Sequence, residues 1–242
     1  MITMSVQLTV QTSDTQLHVE DAPGGTPPML FLNGALGTVR DWDLVIERLA
    51  GNYRAIRFDA RGRGQSGASA DYSLSGALED IGRVVESTGV QKPILVGWSA
   101  GATLAVAYAV ANPEQVAGLV LVDGGYPVSV LRGGERPRVP GGGLLSRLFG
   151  RSSQLSGAEA GDVLVELDQA AGELDFGALH CGAECVVAGG SPAAQREALD
   201  EVTAAHPNIS VFARVDCSPD QVLQKAPDAV VSTIDAAVRQ SF

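Results

Sequence analysis

The chain has 242 residues, 45% of them hydrophobic and 19% charged, which is enough to bury the core of one large domain. A formal net charge of −11 at pH 7 argues against nucleic acid as a general partner. Three cysteines, an odd and low number, indicate free thiols in a reducing compartment. The sequence shows no signal peptide and no long apolar run, so we expect a cytoplasmic protein without a membrane partner; the oligomeric state is left open.

Predicted strands and helices alternate along most of the chain. Residues 5–10 and 16–20 alternate polar and apolar side chains, as expected for a hairpin of edge strands with a turn near Ser13. The runs that predict strands are residues 29–32, 53–58, 93–96, 116–122, 184–188 and 209–215, and those at 29–32 and 116–122 are expected to be buried. Helical spacing covers residues 43–50, 74–87, 100–111, 192–205 and 226–240. This alternation predicts an α/β fold, with a mostly parallel, eight-stranded twisted sheet and helices on both faces.

The composition changes between Tyr126 and about Gly161, where the chain is rich in glycine, proline, serine and arginine. No strand is expected there, and two or three short helices are predicted between Leu144 and Leu174. We interpret residues 126–175 as a lid inserted into a single domain of residues 1–242. Its position in chain order puts it over the carboxyl edge of the sheet, where folds of this class bind ligands.

A serine turn, Gly97-Trp98-Ser99-Ala100-Gly101, joins a predicted strand to an alanine-rich helical pattern. A serine at such a sharp turn has a strained backbone, and the two glycines let strand and helix approach closely. Ser99 would stand above the strand ends at the N-terminus of a helix, where backbone N–H groups attract negative charge. The pattern therefore favours a nucleophilic serine over an ordinary strand–helix turn.

Four motifs in order resemble those of the α/β-hydrolase family. They are Leu32-Asn33-Gly34, Asp59-x-Arg61-Gly62-x-Gly64-x-Ser66, the serine turn, and Leu121-Val122-Asp123-Gly124-Gly125. The resemblance covers nearly the whole chain. It implies a nucleophilic serine, a lid, and an oxyanion hole made by the backbone N–H groups of Ala35 and Ala100. Asn33 stands where many relatives have histidine, at a position that works mainly through its backbone.

The resemblance also implies a catalytic triad in the order serine, acid, histidine. The acid follows either the strand after the serine turn or the strand after the lid. The second place, Ala188-Gly189-Gly190-Ser191, contains no carboxylate, so Asp123 at the first place is the candidate acid. The alternative interpretation of Asp123 is a strand-end residue that caps the following turn.

The histidine that this resemblance calls for is missing. In the family it lies in the loop before the terminal helix, where this chain has Pro219. His18 belongs to the N-terminal hairpin, and His180 and His206 each precede a strand, which puts them at the sheet edge opposite Ser99. None of the three is a natural base for the serine.

Two carboxylates near the proline, Asp216 and Asp220, are candidate substitute bases. A serine hydroxyl is a poor nucleophile without a base, and proline cannot transfer a proton. A carboxylate with an ordinary pKa near about 4 is itself a weak base unless burial raises that pKa. The alternative is that both are solvated loop residues.

Further residues are candidates for substrate contact. The candidates that lie within or close to the motifs are Asn33, Leu36, Trp98 and Tyr126. The lid contains Arg132, Arg136, Arg138, Arg147 and Arg151, which could attract an anionic or carrier-bound small molecule, with a solvated lid as the alternative. No cofactor is expected, and no metal site is predicted because Cys181, Cys185 and His180 have no evident fourth ligand.

The sequence leads to two functional hypotheses. The first is an enzyme that acts on a small or medium ester, thioester, lactone or related carbonyl substrate, with biosynthesis as one setting. The missing histidine leaves a second, a degenerate hydrolase fold that acts as a non-hydrolytic lyase or cyclase, or as a ligand-binding protein. An oxyanion hole suits the lyase option because it can stabilise an enolate too.

Overall fold

The computed structural model describes residues 5–129, 131 and 154–242. The strands in these ranges are β1 (Val6–Gln11), β2 (Gln16–Ala22), β3 (Met29–Leu32), β4 (Ala55–Phe58), β5 (Ile94–Trp98), β6 (Gly118–Val122), β7 (Gly182–Ala188) and β8 (Ile209–Val215). The helices there are α1 (Asp43–Leu49), α2 (Leu74–Thr88), α3 (Ala100–Ala111), α4 (Gly157–Gly172), α5 (Ala193–Ala205), α6 (Val222–Lys225) and α7 (Pro227–Ser241). No helix in the described ranges is long and apolar enough to cross a membrane.

The strands form one sheet in the order β1-β2-β4-β3-β5-β6-β7-β8. β2 pairs antiparallel with both β1 and β4, and every other neighbouring pair is parallel. The mostly parallel, eight-stranded sheet expected from the alternating pattern is therefore confirmed. The carboxyl ends of β5 and β6 lie side by side near its centre, so the chain segments that follow them meet at one edge.

Alternate residues of the central strands pack on opposite faces of the sheet. On one face, Leu30 and Leu32 of β3 pack with residues of α2, α3 and α5. On the other, Met29 and Phe31 pack with residues of α1, α6 and α7. Both faces of β3 are buried, which explains why its sequence is a continuous apolar run. The prediction of helices on both faces is confirmed.

The chain before β7 contains a longer helix than the sequence analysis predicted. In the described part of the region 144–174, where two or three short helices were predicted, α4 runs over 16 residues, Gly157–Gly172; residues 144–153 lie outside the described residues. The Ser156 hydroxyl accepts from the Glu159 N–H, and the Glu159 carboxylate accepts from the Ser156 N–H at 2.7 Å. This capping box fixes the start of the helix, and the Ser-x-x-Glu spacing is the signal that could have located it.

The glycine-rich loop after β4 is held by polar contacts with its neighbours. The Asp59 carboxylate accepts from the N–H groups of Val39 and Gln65, both at 2.8 Å. Buried Arg61 donates twice to Asp80 of α2, at 2.9 and 2.7 Å. These contacts tie the loop to the segment before α1 and to α2.

Candidate active site

The turn between β5 and α3 places Ser99 on a strained backbone. Ser99 has φ 53° and ψ −119°, a left-handed conformation that is uncommon for any residue except glycine. Its N–H donates to the Val122 carbonyl at 2.9 Å, which ties the turn to the end of β6. A Cβ atom on Gly97 would overlap the backbone of Gly101, so strand and helix approach as closely as the motif predicted. The Ser99 side chain is exposed at the apex.

Ser99 lines a cavity of about 310 Å³ at the carboxyl ends of β5 and β6. One wall is the turn after β6, another is the start of α3, and a third is the face of α4 that carries Leu164 and Leu167. A volume of this size suits a small or medium-sized ligand. The predicted serine therefore faces a cavity that α4, within the predicted lid segment, helps to cover.

Two backbone N–H groups that have no acceptor among the described residues lie at this cavity. Ala100 is the first residue of α3, so its N–H has no acceptor within the helix. The N–H of Ala35 donates to no described residue. Both residues line the cavity with Ser99, and a Cβ on Gly34 would lie 3.8 Å from the Ser99 Cβ. The loop after β3 and the serine turn are thus in contact, as an oxyanion hole made from both requires.

Asp123, directly after β6, reaches the same cavity. Its backbone is also left-handed, with φ 43°, and its N–H donates to the Val186 carbonyl at 2.8 Å. Carboxylate atom Oδ1 accepts from the Tyr126 hydroxyl at 2.8 Å and from the Ala188 N–H at 2.9 Å, and the Ser191 hydroxyl lies 2.5 Å away. Oδ2 has no partner among the described residues. These donors fix the carboxylate at the wall with one oxygen left for a further partner.

Tyr126, a predicted substrate contact, holds the Asp123 carboxylate in place by donating a hydrogen bond to it. Burial, together with the charge of Asp123, raises the pKa of Tyr126 well above its ordinary value, so the phenol stays protonated and donates. Its side chain is buried and also lines the cavity. Ser191 was not predicted to touch the acid. Its position in the loop after β7, where the family resemblance offers a second place for the acid, is the signal that could have found it.

No histidine of the chain lines this cavity. His18 lies in β2, with Nε2 3.0 Å from the Gln65 side-chain nitrogen and 3.4 Å from a Glu20 oxygen. His180 and His206 precede β7 and β8, at the amino ends of these parallel strands. Ser99 follows the carboxyl end of β5. His180 and His206 therefore lie at the opposite edge of the sheet from Ser99.

Pro219 lies beside the serine turn without lining the cavity. The Trp98 indole N–H donates to the Pro219 carbonyl at 3.3 Å. A Cβ on Gly190 would lie 3.3 Å from the Pro219 Cδ, so the proline ring sits against the loop after β7. The loop after β8 thus contacts both the serine turn and the loop after β7, whose Ser191 is bonded to Asp123.

Asp216 and Asp220, the candidate substitute bases, are exposed on either side of Pro219. Neither carboxylate lines the cavity that contains Ser99. This placement gives the substitute-base hypothesis no support.

Two other predicted substrate contacts have partners inside the protein. The Asn33 side chain donates to the Phe58 carbonyl at 2.8 Å and accepts from the Trp42 indole at 2.9 Å. Leu36 packs in a small apolar cluster with Leu155 and Val163. Neither lines the Ser99 cavity, and the five lid arginines lie outside the described residues.

The structure adds residues to the cavity that no motif indicated, among them Thr103 of α3, Gln195 of α5 and Asp168 of α4. Asp168 accepts hydrogen bonds from the Ser129 hydroxyl and from the Leu131 N–H, which connects the segment after β6 to α4. No group of three or more histidine, cysteine, aspartate or glutamate side chains in the described ranges could hold a metal ion.

The three free cysteines should differ in reactivity. Burial raises the pKa of Cys181 to about 11 and that of Cys185 to about 12. A raised pKa means less thiolate, about 10⁻³ of Cys181 at pH 8, and the thiolate is the nucleophile. We expect Cys217, whose pKa is raised less, to be alkylated first by iodoacetamide at pH 8, as read by peptide mass mapping. Faster alkylation of Cys181 than of Cys217 would contradict this order.

Comparisons with known proteins agree with this geometry. A family model described as the alpha/beta hydrolase fold matches residues 27–143. Epoxide hydrolase 4 of Mus musculus is 31% identical over 122 residues, which are 49% of this chain and 34% of that protein. A Bacillus subtilis protein, provisionally named a 2-succinyl-6-hydroxy-2,4-cyclohexadiene-1-carboxylate synthase, is 28% identical over 120 residues, or 48% of this chain and 43% of that protein. A thermophilic esterase from Thermogutta terrifontis superposes with a TM-score of 0.74 at 20% identity, covering 98% of this chain and 99% of that one.

The chain has the α/β-hydrolase fold, as the four motifs indicated, and the family model of that fold matches just under half of its length. It spans less than half the length of the first curated relatives that it matches. The similarity to the esterase, at 20% identity, shows a shared fold. The reactions named for these proteins are properties of those proteins.

Proposed function

We propose that this chain is an enzyme that acts on a small or medium-sized ester, thioester, lactone or related carbonyl compound through Ser99. The observation that carries the proposal is the exposed Ser99 side chain, held on a left-handed backbone at the cavity where the N–H groups of Ala35 and Ala100 have no acceptor in the part of the chain that the structure describes. Backbone strain of this kind persists only where the surrounding structure enforces it, and it is concentrated at functional sites. A relative named as an epoxide hydrolase supports an enzyme, and the choice of a carbonyl substrate rests on the site itself.

In the proposed reaction, the substrate carbonyl oxygen accepts from the N–H groups of Ala35 and Ala100. Ser99 Oγ attacks the carbonyl carbon, a C–O bond to the serine forms, and the bond to the leaving group breaks. The serine proton leaves to solvent or to the leaving group. The two N–H groups and the N-terminus of α3 stabilise the negative charge that develops on the carbonyl oxygen.

The absence of a histidine from the cavity makes this chemistry slow. A serine without a base is a poor nucleophile, although oxyanion donors and binding alone leave about 10³–10⁴-fold catalysis over water. No imidazole activates the water that would release the acyl group either. An acylated Ser99 should therefore form slowly and persist.

A second function, a lyase or cyclase acting through an enolate, is favoured by the same missing histidine. Such a reaction needs no activated serine, because the two N–H groups stabilise an enolate oxygen as well as a tetrahedral oxyanion. Oδ2 of Asp123 has no partner in the described residues and is at the cavity wall, where it could accept a proton from the carbon next to the carbonyl. Ser99 would then serve as a polar anchor.

Acylation of the intact protein by p-nitrophenyl acetate separates these functions. We expect one acetyl group per chain, located on Ser99 by peptide mass mapping, and none in Ser99→Ala. Ser232→Ala, which removes an exposed serine from α7, should acylate like the wild type. Equal labelling of the wild type and Ser99→Ala would reject Ser99 as the nucleophile and leave the enolate reaction or ligand binding.

A further inference from the structure

Arg63 is a buried arginine that has no carboxylate partner among residues 5–129, 131 and 154–242. Its residue is 5% exposed, and no ion pair of its guanidinium occurs within the described ranges. Its neighbour Arg61, in contrast, is paired with Asp80 at 2.7 Å. Burying an unpaired charge costs free energy of folding. Binding of an anionic ligand would offset that cost.

Only two of the five N–H groups of Arg63 have acceptors in the described residues. Nε donates to the Ala35 carbonyl at 3.0 Å, and Nη1 donates to the Arg61 carbonyl at 2.5 Å. The Tyr72 ring lies 5.8 Å from the guanidinium carbon. One N–H of Nη1 and both of Nη2 remain, and a pair of these can form the fork that fits a carboxylate.

These remaining N–H groups belong to a side chain that lines a second, small cavity of about 40 Å³. Ala35, Ala100 and Leu167 line both this cavity and the larger one that contains Ser99. The two cavities are therefore neighbours, and they share the two residues whose amides are proposed to bind the substrate carbonyl. A space of this size holds a few water molecules or one compact group such as a carboxylate.

One acidic side chain, Glu166 of α4, also lines the small cavity. Its Oε1 accepts from the Leu74 N–H at 3.1 Å, and Leu74 is the first residue of α2. The N-terminus of a helix stabilises a carboxylate, so this contact offsets the charge of Glu166. Within the described residues, the charge of Arg63 is met only by the carbonyl groups of Ala35 and Arg61 and by the Tyr72 ring.

We propose that Arg63 and the small cavity bind a carboxylate that the substrate carries near its reacting carbonyl group. The carbonyl oxygen lies at the N–H groups of Ala35 and Ala100, and the carboxylate enters the small cavity and accepts from the Nη1 and Nη2 atoms of Arg63. The inference rests on the proposed function for the position of the carbonyl group. It adds a substrate class, acyl compounds with a free carboxylate. Arg63 alone accounts for binding of the carboxylate, without a contribution from the lid arginines.

Binding of half-esters tests this subsite without any turnover. The probes are the monomethyl esters of malonate, succinate and glutarate, each compared with its neutral dimethyl ester by isothermal titration calorimetry. We expect at least one half-ester to bind the wild type about tenfold or more tighter than its dimethyl ester, because hydrogen bonds to a charged partner are the stronger ones. Arg63→Met should abolish this preference, and Arg63→Lys should retain part of it.

The matched control is Arg83→Met, which removes one positive charge from the exposed face of α2 and should keep the preference. A spectroscopic measurement on the unaltered protein covers the case in which Arg63→Met does not fold. The Nε–H resonance of Arg63, assigned by its loss in Arg63→Lys, should shift when the half-ester is added and stay in place with the dimethyl ester.

Equal affinity of half-esters and dimethyl esters for the wild type, or an Nε–H resonance that ignores the half-ester, would overturn the carboxylate subsite. Neither result would contradict the proposed acylation of Ser99, because that acylation is measured with p-nitrophenyl acetate, which carries no carboxylate. Failure of that acylation while Arg63 still selects half-esters would reject the serine chemistry and leave the subsite in place.

Discussion

Pro219→His should raise the rate at which Ser99 reacts with a fluorophosphonate probe by about 10- to 10³-fold. Position 219 lies between the serine turn and the loop that holds Asp123, and its carbonyl, which accepts from the Trp98 indole, is a backbone atom that the substitution keeps. An imidazole there could take the proton of Ser99 while Asp123 Oδ2 accepts from its other ring nitrogen. The gain stays below that of a natural triad because the loop was not shaped for imidazole, and a misplacement of about 1 Å is costly.

Rates of labelling, followed by intact-protein mass, decide this prediction. Adding Ser99→Ala to Pro219→His should remove the gain, and Asp123→Asn should reduce it. Pro207→His, which places a new histidine in the exposed turn before β8 at the opposite sheet edge, is the matched control and should label like the wild type. A wild type that already reacts quickly and loses nothing on Asp123→Asn would show that the chain uses a different base.

Gly124→Ala should destabilise the fold by about 3 kcal/mol, the range of severe overpacking, and lower the melting temperature by about 6–12 °C. A Cβ atom at this position would overlap the Ser99 carbonyl and lie close to the Ser99 Cα. Both contacts are with backbone, so no flexible side chain can move aside. The serine turn must shift instead, and acylation of Ser99 should fall by about 10²-fold.

Thermal unfolding and acylation of the same protein samples check this expectation. Gly82→Ala is the matched control, because the nearest atom to its new Cβ is the Tyr108 hydroxyl oxygen at 3.9 Å and the residue lies inside α2. That substitution should be neutral or stabilise by roughly 0.5–1 kcal/mol. Unchanged melting and acylation in Gly124→Ala would mean that the turn after β6 does not constrain Ser99.

The sequence predicted the sheet and the serine turn well because their causes are local. β3 is a four-residue apolar run buried on both faces, and the turn at Ser99 needs glycines at fixed positions on either side. The start of α4 was missed because the apolar periodicity is weak there, although the capping residues Ser156 and Glu159 marked it.

The surroundings of the site could not be predicted in the same way. Ser191 and Ala188 reach Asp123 from another strand, 68 and 65 residues further along the chain, and no local pattern encodes that contact. The sequence also could not show which of the two arginines is paired with a carboxylate. Only the structure shows that Arg61 donates to Asp80, whereas Arg63 donates to backbone carbonyls.

The left-handed backbones of Ser99 and Asp123, at the ends of adjacent strands, set stability against the activity proposed for this site. Glycine tolerates such φ angles without penalty, whereas serine and aspartate in sparsely populated regions cost of order 1–3 kcal/mol each. The fold would therefore gain from losing the Ser99 side chain, whereas loss of the Asp123 side chain would leave the Tyr126, Ala188 and Ser191 donors without their acceptor. Selection for stability alone would erase Ser99, so screens for thermostable variants of the chain should be expected to lose the proposed nucleophile unless acylation of Ser99 is selected at the same time.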